Sequence, residues 1–438
     1  MVKKRIVVLG AGFAGIACVK KLLRRFSLGM KEGWSPVEIT LVDQNDYHLF
    51  QADLYEVATA YSGAKVDGAK GAGSGASSAA GQNLAEVQSA IVLPLTDLLP
   101  IAGTEQRVKF VQDEVVGIDR KKKIVKLRGG ILSYDYIVVA LGSQTNYFGI
   151  PGLEKYSLNM KTLHDAVEIH NKLESLFKKV AEAERDVYVN VGGGGATGVE
   201  MAAELVGLLK RLSRKYKVPF GRVHISLIEG SKDVLAALDK AGTAVVVSRL
   251  KKLGVKLRMG RYIQKVMNGK VFLEAKGREL NVLPSDLLIW TGGVQVSKVV
   301  QKFLGSAECK GAIAVNEFLQ SNVDEKIFAA GDNAFLSKEY GMFAQVAYQE
   351  GEVIGDNIWA AVTGEAEMKS LRKMKVHYLL PLGGRYAIWQ VKSGRIYRGF
   401  FIWCIRRMVF FRYALSVLPF WKAVRKLLVG TRVFVRND

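Results

Sequence analysis

Two glycine-rich stretches constrain the fold of this chain more than any other feature. GAGFAG at 10–15 follows the apolar run 6–9, GGGATG at 193–198 follows a predicted strand at 186–191, and helix-like patterns come after both. In this context the first glycine permits a tight turn, the second admits a pyrophosphate, and the third lets helix and strand pack closely. We therefore predict an α/β protein with two Rossmann-like dinucleotide-binding units.

An acidic residue ends the strand that follows each glycine motif. Asp43 closes the apolar run 39–42, and Glu229 closes 223–228. A carboxylate at this position accepts the ribose hydroxyls of the nucleotide, and it repels a 2′-phosphate, so Glu229 favours NADH over NADPH despite the nearby Lys232. Two simpler readings stay open: an ordinary glycine turn at the first motif, and a vestigial fold element at the second.

Three further apolar runs end in residues that suit ligand contacts at the carboxyl edge of a parallel sheet. They are 136–141 before Gly142, 287–290 before Gly292, and 327–330 before Gly331 and Asp332. A helix is predicted next, in which Gln345 and Gln349 are four residues apart and share a face. Amides on a helix face are usually solvated, and only the proximity to Asp332 favours a role for these two.

Positive charge is concentrated at the C-terminus. The 438 residues include 63 Lys or Arg and 41 Asp or Glu, a net charge of +22, and the segment 369–438 holds sixteen basic residues and one acid. No apolar run reaches the ~20 residues of a membrane-spanning helix. The tail is therefore expected to meet an acidic partner.

The tail pattern predicts a hairpin over 380–401, an aromatic-rich helix that Pro419 ends, and a second helix over 420–429. In the second helix the apolar and basic residues separate onto opposite faces: Phe420, Val424, Leu427 and Leu428 on one, Lys422, Arg425 and Lys426 on the other. This combination is typical of a helix lying in an anionic membrane interface. A nucleic-acid contact and a plain core or dimer helix are the alternatives.

Other classes of site are disfavoured. Cys18, Cys309 and Cys404 are far apart and form no CxxC, so neither a disulfide framework nor a zinc site is expected, and a reducing compartment fits best. His164 and His170 are interpreted as surface or packing residues with no metal role. The Gly/Ala/Ser-rich segment 61–82 predicts a flexible surface loop.

Over most of its length the chain resembles the type II NADH:quinone oxidoreductases, a family within the two-dinucleotide flavoproteins. The matching motifs are GAGFAG, DYHLFQADLYEVATA, ALGSQTNYFGIPG, GGGATGVEMAAEL, IWTGGV, FAAGDNAF and AQVAYQEG, in this order. The resemblance implies electron transfer from NADH through FAD to a quinone, without proton pumping, by a peripheral protein on the cytoplasmic side of the cell membrane. It implies no nucleic-acid partner and leaves a homodimer open.

The resemblance also implies residue roles. FAD would use Gly10, Gly12, Gly15, Asp43 and Asp332; NADH would use Gly193, Gly195, Gly198 and Glu229; Glu200, Gln345 and Gln349 would be catalytic, beside the nicotinamide and at the flavin and quinone. The cofactor sites implied by the resemblance are completed by Phe13, Ala14, Val115, Ala140, Gly142, Gly292, Gly331 and Ala344. No metal is expected.

The implied domains are an FAD-binding domain at 1–150 and 306–366, an NADH-binding domain at 151–305, and a membrane-associating region at 367–438. The Gly/Ser-rich loop before Ile91 is expanded relative to the family, and two further departures concern the quinone site. Ala52-Asp53 stands where many members have Pro-Leu, and Arg406 and Arg407 are only candidates for the family's basic residue near the quinone. A sulfide:quinone oxidoreductase and a non-catalytic NADH-binding flavoprotein are the alternative functions.

Overall fold

The computed structural model describes residues 3–28, 37–60, 76–101, 107–275, 280–304, 308–309, 311–337, 341–373, 378–391 and 393–437. The helices are α1 (Phe13–Leu28), α2 (Leu54–Ala58), α3 (Ala76–Ile91), α4 (Leu95–Leu98), α5 (Leu153–Tyr156), α6 (Leu163–Ala183), α7 (Ala196–Lys215), α8 (Lys240–Lys252), α9 (Lys298–Leu304), α10 (Ala344–Thr363), α11 (Phe400–Val417) and α12 (Phe420–Asn437).

The strands are short and lie between these helices. They are β1 (Lys4–Leu9), β2 (Val37–Asp43), β3 (Tyr47–Leu49), β4 (Val92–Pro94), β5 (Val108–Gln112), β6 (Val115–Asp119), β7 (Ile124–Leu127), β8 (Ile131–Ser133), β9 (Tyr136–Val139), β10 (Ser143–Thr145), β11 (Leu158–Asn159), β12 (Val187–Gly192), β13 (Val223–Glu229), β14 (Lys256–Met259), β15 (Arg261–Met267), β16 (Lys270–Ala275), β17 (Asn281–Pro284), β18 (Leu287–Trp290), β19 (Val294–Val296), β20 (Glu308–Cys309), β21 (Ala312–Ala314), β22 (Gln320–Ser321), β23 (Asp324–Ala329), β24 (Ala334–Phe335), β25 (Tyr378–Pro381), β26 (Ala387–Gln390) and β27 (Ile396–Gly399).

The chain divides into two compact units, and each contains one glycine motif. The first unit comprises Met1–Leu49, Val92–Gln144 and Val294–Val376; the second comprises Phe50–Ile91, Thr145–Gly293 and His377–Asp438. The functional domain limits predicted from the sequence stay a prediction.

The first unit is built on a six-stranded sheet in the order β22-β23-β9-β1-β2-β5. All pairs from β23 to β5 are parallel, and the two-residue β22 adds an antiparallel edge. A parallel sheet covered on both faces needs continuously apolar strands, and Ile6, Val7, Val8 and Leu9 of β1 are all buried. This central strand leads straight into the first glycine motif.

The second unit repeats the plan with a five-stranded sheet in the order β11-β18-β12-β13-β14, again with parallel pairs. Strand β12 leads into the second glycine motif. An antiparallel sheet, β15-β16-β17, packs beside it through an apolar cluster that includes Ile228, Val271 and Trp290. Both units therefore have the α/β architecture that the glycine motifs predict.

The C-terminal part of the second unit contains the predicted hairpin, extended to an antiparallel sheet in the order β25-β26-β27, and two helices. Ile402 and Trp403 of α11 pack on Ala387 of this sheet. The helix stops at Val417, ahead of Pro419 as predicted. Among the described residues, no helix combines the length and apolar character needed to cross a membrane.

One prediction about local structure is wrong. The segment 61–82 was expected to be a loop, but its last part, from residue 76, belongs to α3. The sequence there is rich in alanine, the best helix former, and Val87, Ala90 and Ile91 bury the end of the helix. The remainder of the predicted loop, 61–75, lies outside the described residues.

Candidate functional site: two glycine turns with a carboxylate at each

The first glycine turn connects β1 to α1, and steric contacts require glycine at two of its positions. Gly10 has a φ of 102°, and an added Cβ there would lie 2.3 Å from the Ala140 carbonyl oxygen. A Cβ on Gly15 would lie 1.8 Å from the carbonyl oxygen of Gly10. By contrast, a Cβ on Gly12 would meet nothing within 4 Å. The turn therefore has an open backbone position at the N-terminus of a helix, which suits a pyrophosphate.

Asp43 holds this turn against the end of β2. Its Oδ2 accepts a hydrogen bond from the Ala11 amide at 2.6 Å, and its Oδ1 accepts one from the Asn45 amide at 2.8 Å. Burial raises the pKa of the carboxyl, while these hydrogen bonds act in the opposite direction. Oδ1 also accepts from Asn45 Nδ2 at 3.3 Å, so both of its lone pairs are used. Oδ2 has one lone pair left to accept a second donor, such as a ribose hydroxyl.

His48 supports the same turn and was not singled out from the sequence. Its Nδ1 lies 2.8 Å from the Ala11 carbonyl oxygen, and its ring packs edge-on against Phe13 with centroids 4.9 Å apart. Burial lowers the pKa of His48 to about 4, so the ring is neutral. Because a carbonyl only accepts, Nδ1 carries the proton. The available signal was the position of His48 within the DYHLFQ motif.

A second element of the first unit is the turn at Gly331, Asp332 and Asn333. Ser143 Oγ donates a hydrogen bond to the Asp332 carboxylate. The Asn333 amide bonds Gly142 in both directions, accepting from its N–H at 3.0 Å and donating to its carbonyl at 2.8 Å. The structure thus brings the predicted residues Gly142, Gly331 and Asp332 together.

Helix α10 follows this turn and starts at Ala344. Gln345 is exposed, and Gln349 is half-buried and donates from Nε2 to the Arg372 carbonyl at 3.3 Å. Val115 is the first residue of β6, in the separate β6-β7-β8 sheet, and follows Gln112, which pairs with Asp43, by three residues. No contact of these residues identifies a ligand, so their assignments stay predictions.

The second glycine turn, between β12 and α7, has the same steric design. Gly193 has a φ of 107°, and an added Cβ would lie 2.6 Å from the Cα of Gly292. A Cβ on Gly198 would lie 1.9 Å from the Gly193 carbonyl oxygen, whereas one on Gly195 would meet nothing within 4 Å. The predicted residue Gly292 is therefore part of this turn's immediate surroundings.

Glu229 has the role in the second turn that Asp43 has in the first. Its Oε2 accepts from the Gly194 amide at 2.6 Å, and its Oε1 accepts from the Ser231 amide at 2.7 Å. Each carboxylate thus accepts one hydrogen bond from its glycine turn and one from the backbone amide two residues beyond the acid. Each lies at the carboxyl end of a strand, where a nucleotide ribose is bound in such sheets.

Glu200 lies in the second turn of α7, near a cluster of charged side chains. Burial raises its pKa to about 8; Arg406 opposes this shift, and Asp53 and Glu56 add to it. Its carboxyl is therefore largely neutral at pH 7, when it can donate as well as accept a hydrogen bond.

The charged cluster itself is buried in the second unit. Arg406 of α11 pairs with Asp53 at 2.5 Å, and Arg407 pairs with Glu56 at 2.5 Å, with every side chain under a tenth exposed. Arg406 also donates to the Ala52 carbonyl at 3.0 Å. The sequence identified both arginines as candidates but did not identify their partners, which are about 350 residues away.

The donor sets of the two glycine turns fit nucleotides. No group of three or more His, Cys, Asp or Glu side chains among the described residues could hold a metal ion. Each glycine turn offers an open backbone position, a helix N-terminus and a carboxylate at the adjoining strand end, as a bound dinucleotide requires. FAD and NAD are therefore sterically and chemically compatible with the residues present.

Comparisons with known proteins agree with this geometry. A family model described as pyridine nucleotide-disulphide oxidoreductase matches residues 4–351. The type II NADH:quinone oxidoreductase of Staphylococcus aureus (strain NCTC 8325 / PS 47) is 30% identical over 373 residues, which cover 83% of this chain and 84% of that protein.

Two solved structures share the fold. NDH2 from Plasmodium falciparum in complex with NADH has a TM-score of 0.79 and 18% identity, with 99% of each chain covered. The sulfide:quinone oxidoreductase from Aquifex aeolicus has a TM-score of 0.71 and 17% identity, with 97% of this chain and 92% of that chain covered. At these identities the likeness shows the fold alone, whereas the family model and the bacterial relative decide membership. The chain belongs to the pyridine nucleotide-disulphide oxidoreductase family and, within it, to the type II NADH:quinone oxidoreductases.

Proposed function

We propose that this protein oxidises NADH and reduces a membrane quinone, with FAD at the first glycine turn and NADH at the second. FAD, when bound, supplies the chemistry, since it accepts a hydride from NADH and passes two electrons to the quinone without proton pumping. The proposal rests on the two matching glycine turns. In each of them the carboxylate at the end of the next strand accepts a hydrogen bond from a backbone N–H of the turn.

The residues of the first unit bind and orient the flavin nucleotide in this proposal. The backbone at Gly12 and the N-terminus of α1 receive the pyrophosphate, and Asp43 accepts the ribose hydroxyls. Asp332, oriented by Ser143, accepts hydroxyls of the linker between pyrophosphate and flavin ring. Gln345 and Gln349 border the flavin and quinone. The remaining predicted residues contribute backbone and apolar contacts.

The residues of the second unit select and orient NADH. Glu229 accepts both ribose hydroxyls and repels a 2′-phosphate, which favours NADH over NADPH. Glu200, neutral at pH 7, donates a hydrogen bond near the nicotinamide. The backbone at Gly195 admits the pyrophosphate, as Gly12 does in the first unit.

We also propose that α11 and α12 lie on an anionic membrane surface at the cytoplasmic side. Phe401 is 81% exposed and Trp421 is 78% exposed, and Lys422 and Arg425 are exposed on the same helix as Trp421. Aromatic rings next to basic side chains suit the headgroup region of a bilayer. This arrangement favours lipid over nucleic acid, and a homodimer stays an open proposal.

A flavin spectrum tests the proposed reaction. The purified protein is expected to show bound-flavin absorption that NADH bleaches anaerobically and that a soluble quinone restores, with NADPH far less effective. A protein that neither retains nor takes up FAD would contradict the proposal. A flavoprotein that sulfide reduces and NADH does not would instead support a sulfide:quinone oxidoreductase, and one that binds NADH without flavin reduction would support a non-catalytic role.

Vesicle binding tests the membrane surface separately. Phe401→Ser with Trp421→Ser should reduce co-sedimentation with anionic liposomes at least tenfold, because it removes two exposed aromatic side chains. Ile131→Ser is the matched control, since Ile131 is 65% exposed in the β6-β7-β8 sheet of the first unit. Equal binding by all three proteins would contradict the proposed surface.

A further inference from the structure

We propose that Glu350 is a positioning residue for the FAD site: its carboxyl oxygen fixes the Gly331–Asn333 turn, which presents Asp332 to the flavin nucleotide. The inference rests on the proposed function, because it assigns FAD to the first unit. It adds a residue to that site for which the sequence motifs gave no role.

Hydrogen bonds hold the Gly331–Asn333 turn from two sides, and Glu350 accepts the hydrogen bond on one side. The Gly331 N–H donates to Glu350 Oε2 at 2.6 Å. On the other side, Asn333 bonds Gly142 and Asp332 accepts from Ser143. Gly331 has a φ of 62°, and because glycine has access to many backbone conformations, these hydrogen bonds select this one. Without the Glu350 contact, the residue next to Asp332 would lose its hydrogen-bond acceptor.

A carboxyl at position 350 is energetically unfavourable for packing alone. Glu350 is 5% exposed, and burial raises its pKa to about 7. The charged group acting on it is Asp332, another acid, which further disfavours ionisation, while the Gly331 N–H favours it. A leucine or methionine would fill the same space without this cost. The carboxyl is therefore best explained by the bond it makes to the turn.

Helix α10 holds Glu350 in a fixed position relative to the phosphate turn. A Cβ on the next residue, Gly351, would lie 2.1 Å from the Ala14 carbonyl oxygen, so α10 and α1 are in backbone contact. A Cβ on Gly355 would lie 2.6 Å from the Cβ of Lys21. Because α1 begins at the first glycine turn, Glu350 links the position of Asp332 to that of the pyrophosphate-binding backbone.

Substitutions that keep or remove the acceptor oxygen test the proposal. Glu350→Gln retains an oxygen that can accept from Gly331, whereas Glu350→Leu keeps the bulk and removes it. The dissociation constant of FAD, measured by flavin fluorescence quenching on deflavinated protein, should rise at least tenfold in Glu350→Leu and stay within about threefold in Glu350→Gln. A tenfold change corresponds to about 1.4 kcal/mol.

Glu352→Leu is the matched control, because Glu352 is a half-buried acid on the same helix. It should bind FAD like the wild type, and NADH binding should be unchanged in all variants because that site belongs to the second unit. FAD binding by Glu350→Leu at wild-type strength would overturn the inference, as would Glu350→Gln being as weak as Glu350→Leu.

Failure of the proposed function gives a different result. A wild-type protein without FAD affinity would refute the FAD assignment itself, before any variant is compared. If Glu350→Leu does not fold, amide hydrogen exchange at Gly331 in wild type and Glu350→Gln decides. Protection in both proteins supports the acceptor role, and rapid exchange in either overturns it.

Discussion

The two glycine turns have almost the same backbone geometry. Gly10 and Gly193 have φ values of 102° and 107°, and each donates a hydrogen bond of 2.8 Å to the carbonyl of the residue before the strand-end acid. Added Cβ atoms at the third glycines would lie 1.8 and 1.9 Å from the first glycine's carbonyl oxygen. The same backbone contacts therefore shape both turns.

The two turns differ in the residues that pack around the helix following each turn. Two residues after the third glycine, the first unit has Ala17 and the second has Glu200. An added Cβ on Gly351 would lie 2.9 Å from the Ala17 Cβ, so α10 occupies this face of α1. Glu200 instead has the charges of Asp53, Glu56 and Arg406 near it. The repeated fold therefore gives both turns the same backbone shape, and the different neighbours of α1 and α7 make the two sites different.

The largest expected effects come from alanine at the third glycines. Gly15→Ala and Gly198→Ala each force a side chain against a backbone oxygen, so each should weaken its own nucleotide at least a hundredfold. Flavin content should fall only in Gly15→Ala, and NADH binding should fall only in Gly198→Ala. Absorption spectra and NADH titration measure the two outcomes.

Gly130→Ala and Gly221→Ala are the controls, one in each unit, because an added Cβ meets nothing within 4 Å at either position. Both should retain FAD and NADH. Loss of both nucleotides in Gly15→Ala or in Gly198→Ala would break the assignment of one nucleotide to each turn.

The second prediction concerns the buried carboxyl of the first unit. Glu350 retains its proton up to about pH 7 in the folded protein but only to 4.5 in the unfolded chain. The folded state therefore binds more protons between these values, and stability falls as pH rises through about 7. Glu350→Gln does not titrate, so it should be more stable than the wild type at pH 8, by on the order of 3 kcal/mol.

Thermal unfolding with saturating FAD, followed by circular dichroism from pH 4 to pH 8, measures this difference. The advantage of Glu350→Gln should disappear toward pH 4, where the wild-type carboxyl is protonated in both states. An advantage that does not depend on pH would show that packing, and not the charge, determines the effect.

The third prediction compares the two strand-end acids. Asp43→Ala should weaken FAD and Glu229→Ala should weaken NADH, each about 10- to 100-fold, because charged hydrogen bonds contribute about 1.5–3 kcal/mol. Glu229→Ala should also narrow the preference for NADH over NADPH, as the repulsion of a 2′-phosphate disappears. Asp233→Ala is the exposed control near Glu229.

Equilibrium titration of NADH and NADPH against each variant gives these numbers. An unchanged ratio of the two dissociation constants in Glu229→Ala would exclude Glu229 as the residue that selects the nucleotide. An equal loss of NADH binding in Asp43→Ala would contradict the separation of the two sites.

Local spacing predicted the parts of the site that depend on neighbouring residues. The glycine turns were predictable because a strand, a turn and a helix lie within one short segment. Asp43 and Glu229 were predictable because each ends the strand that follows its glycine motif. His48, Glu350 and the partners of the arginines were not, because their roles arise only when distant segments pack. The helical start of α3 was missed since glycine and serine flank its alanines and suggested a loop.

The smallest expected effect concerns Glu200, which the second unit has at the position where the first unit has Ala17. Because burial raises the pKa of Glu200 to about 8, its carboxyl is mostly neutral at pH 7 and ionised at pH 9. If the neutral form donates to NADH, kcat/KM for NADH should fall several-fold between these pH values in the wild type. Glu200→Gln keeps a donor at every pH and should show a flat profile, whereas Glu182→Gln, an exposed acid on α6, should follow the wild type. An identical decline in Glu200→Gln would assign the titration to another group. NADH binding would then depend on the glycine turn without a contribution from Glu200.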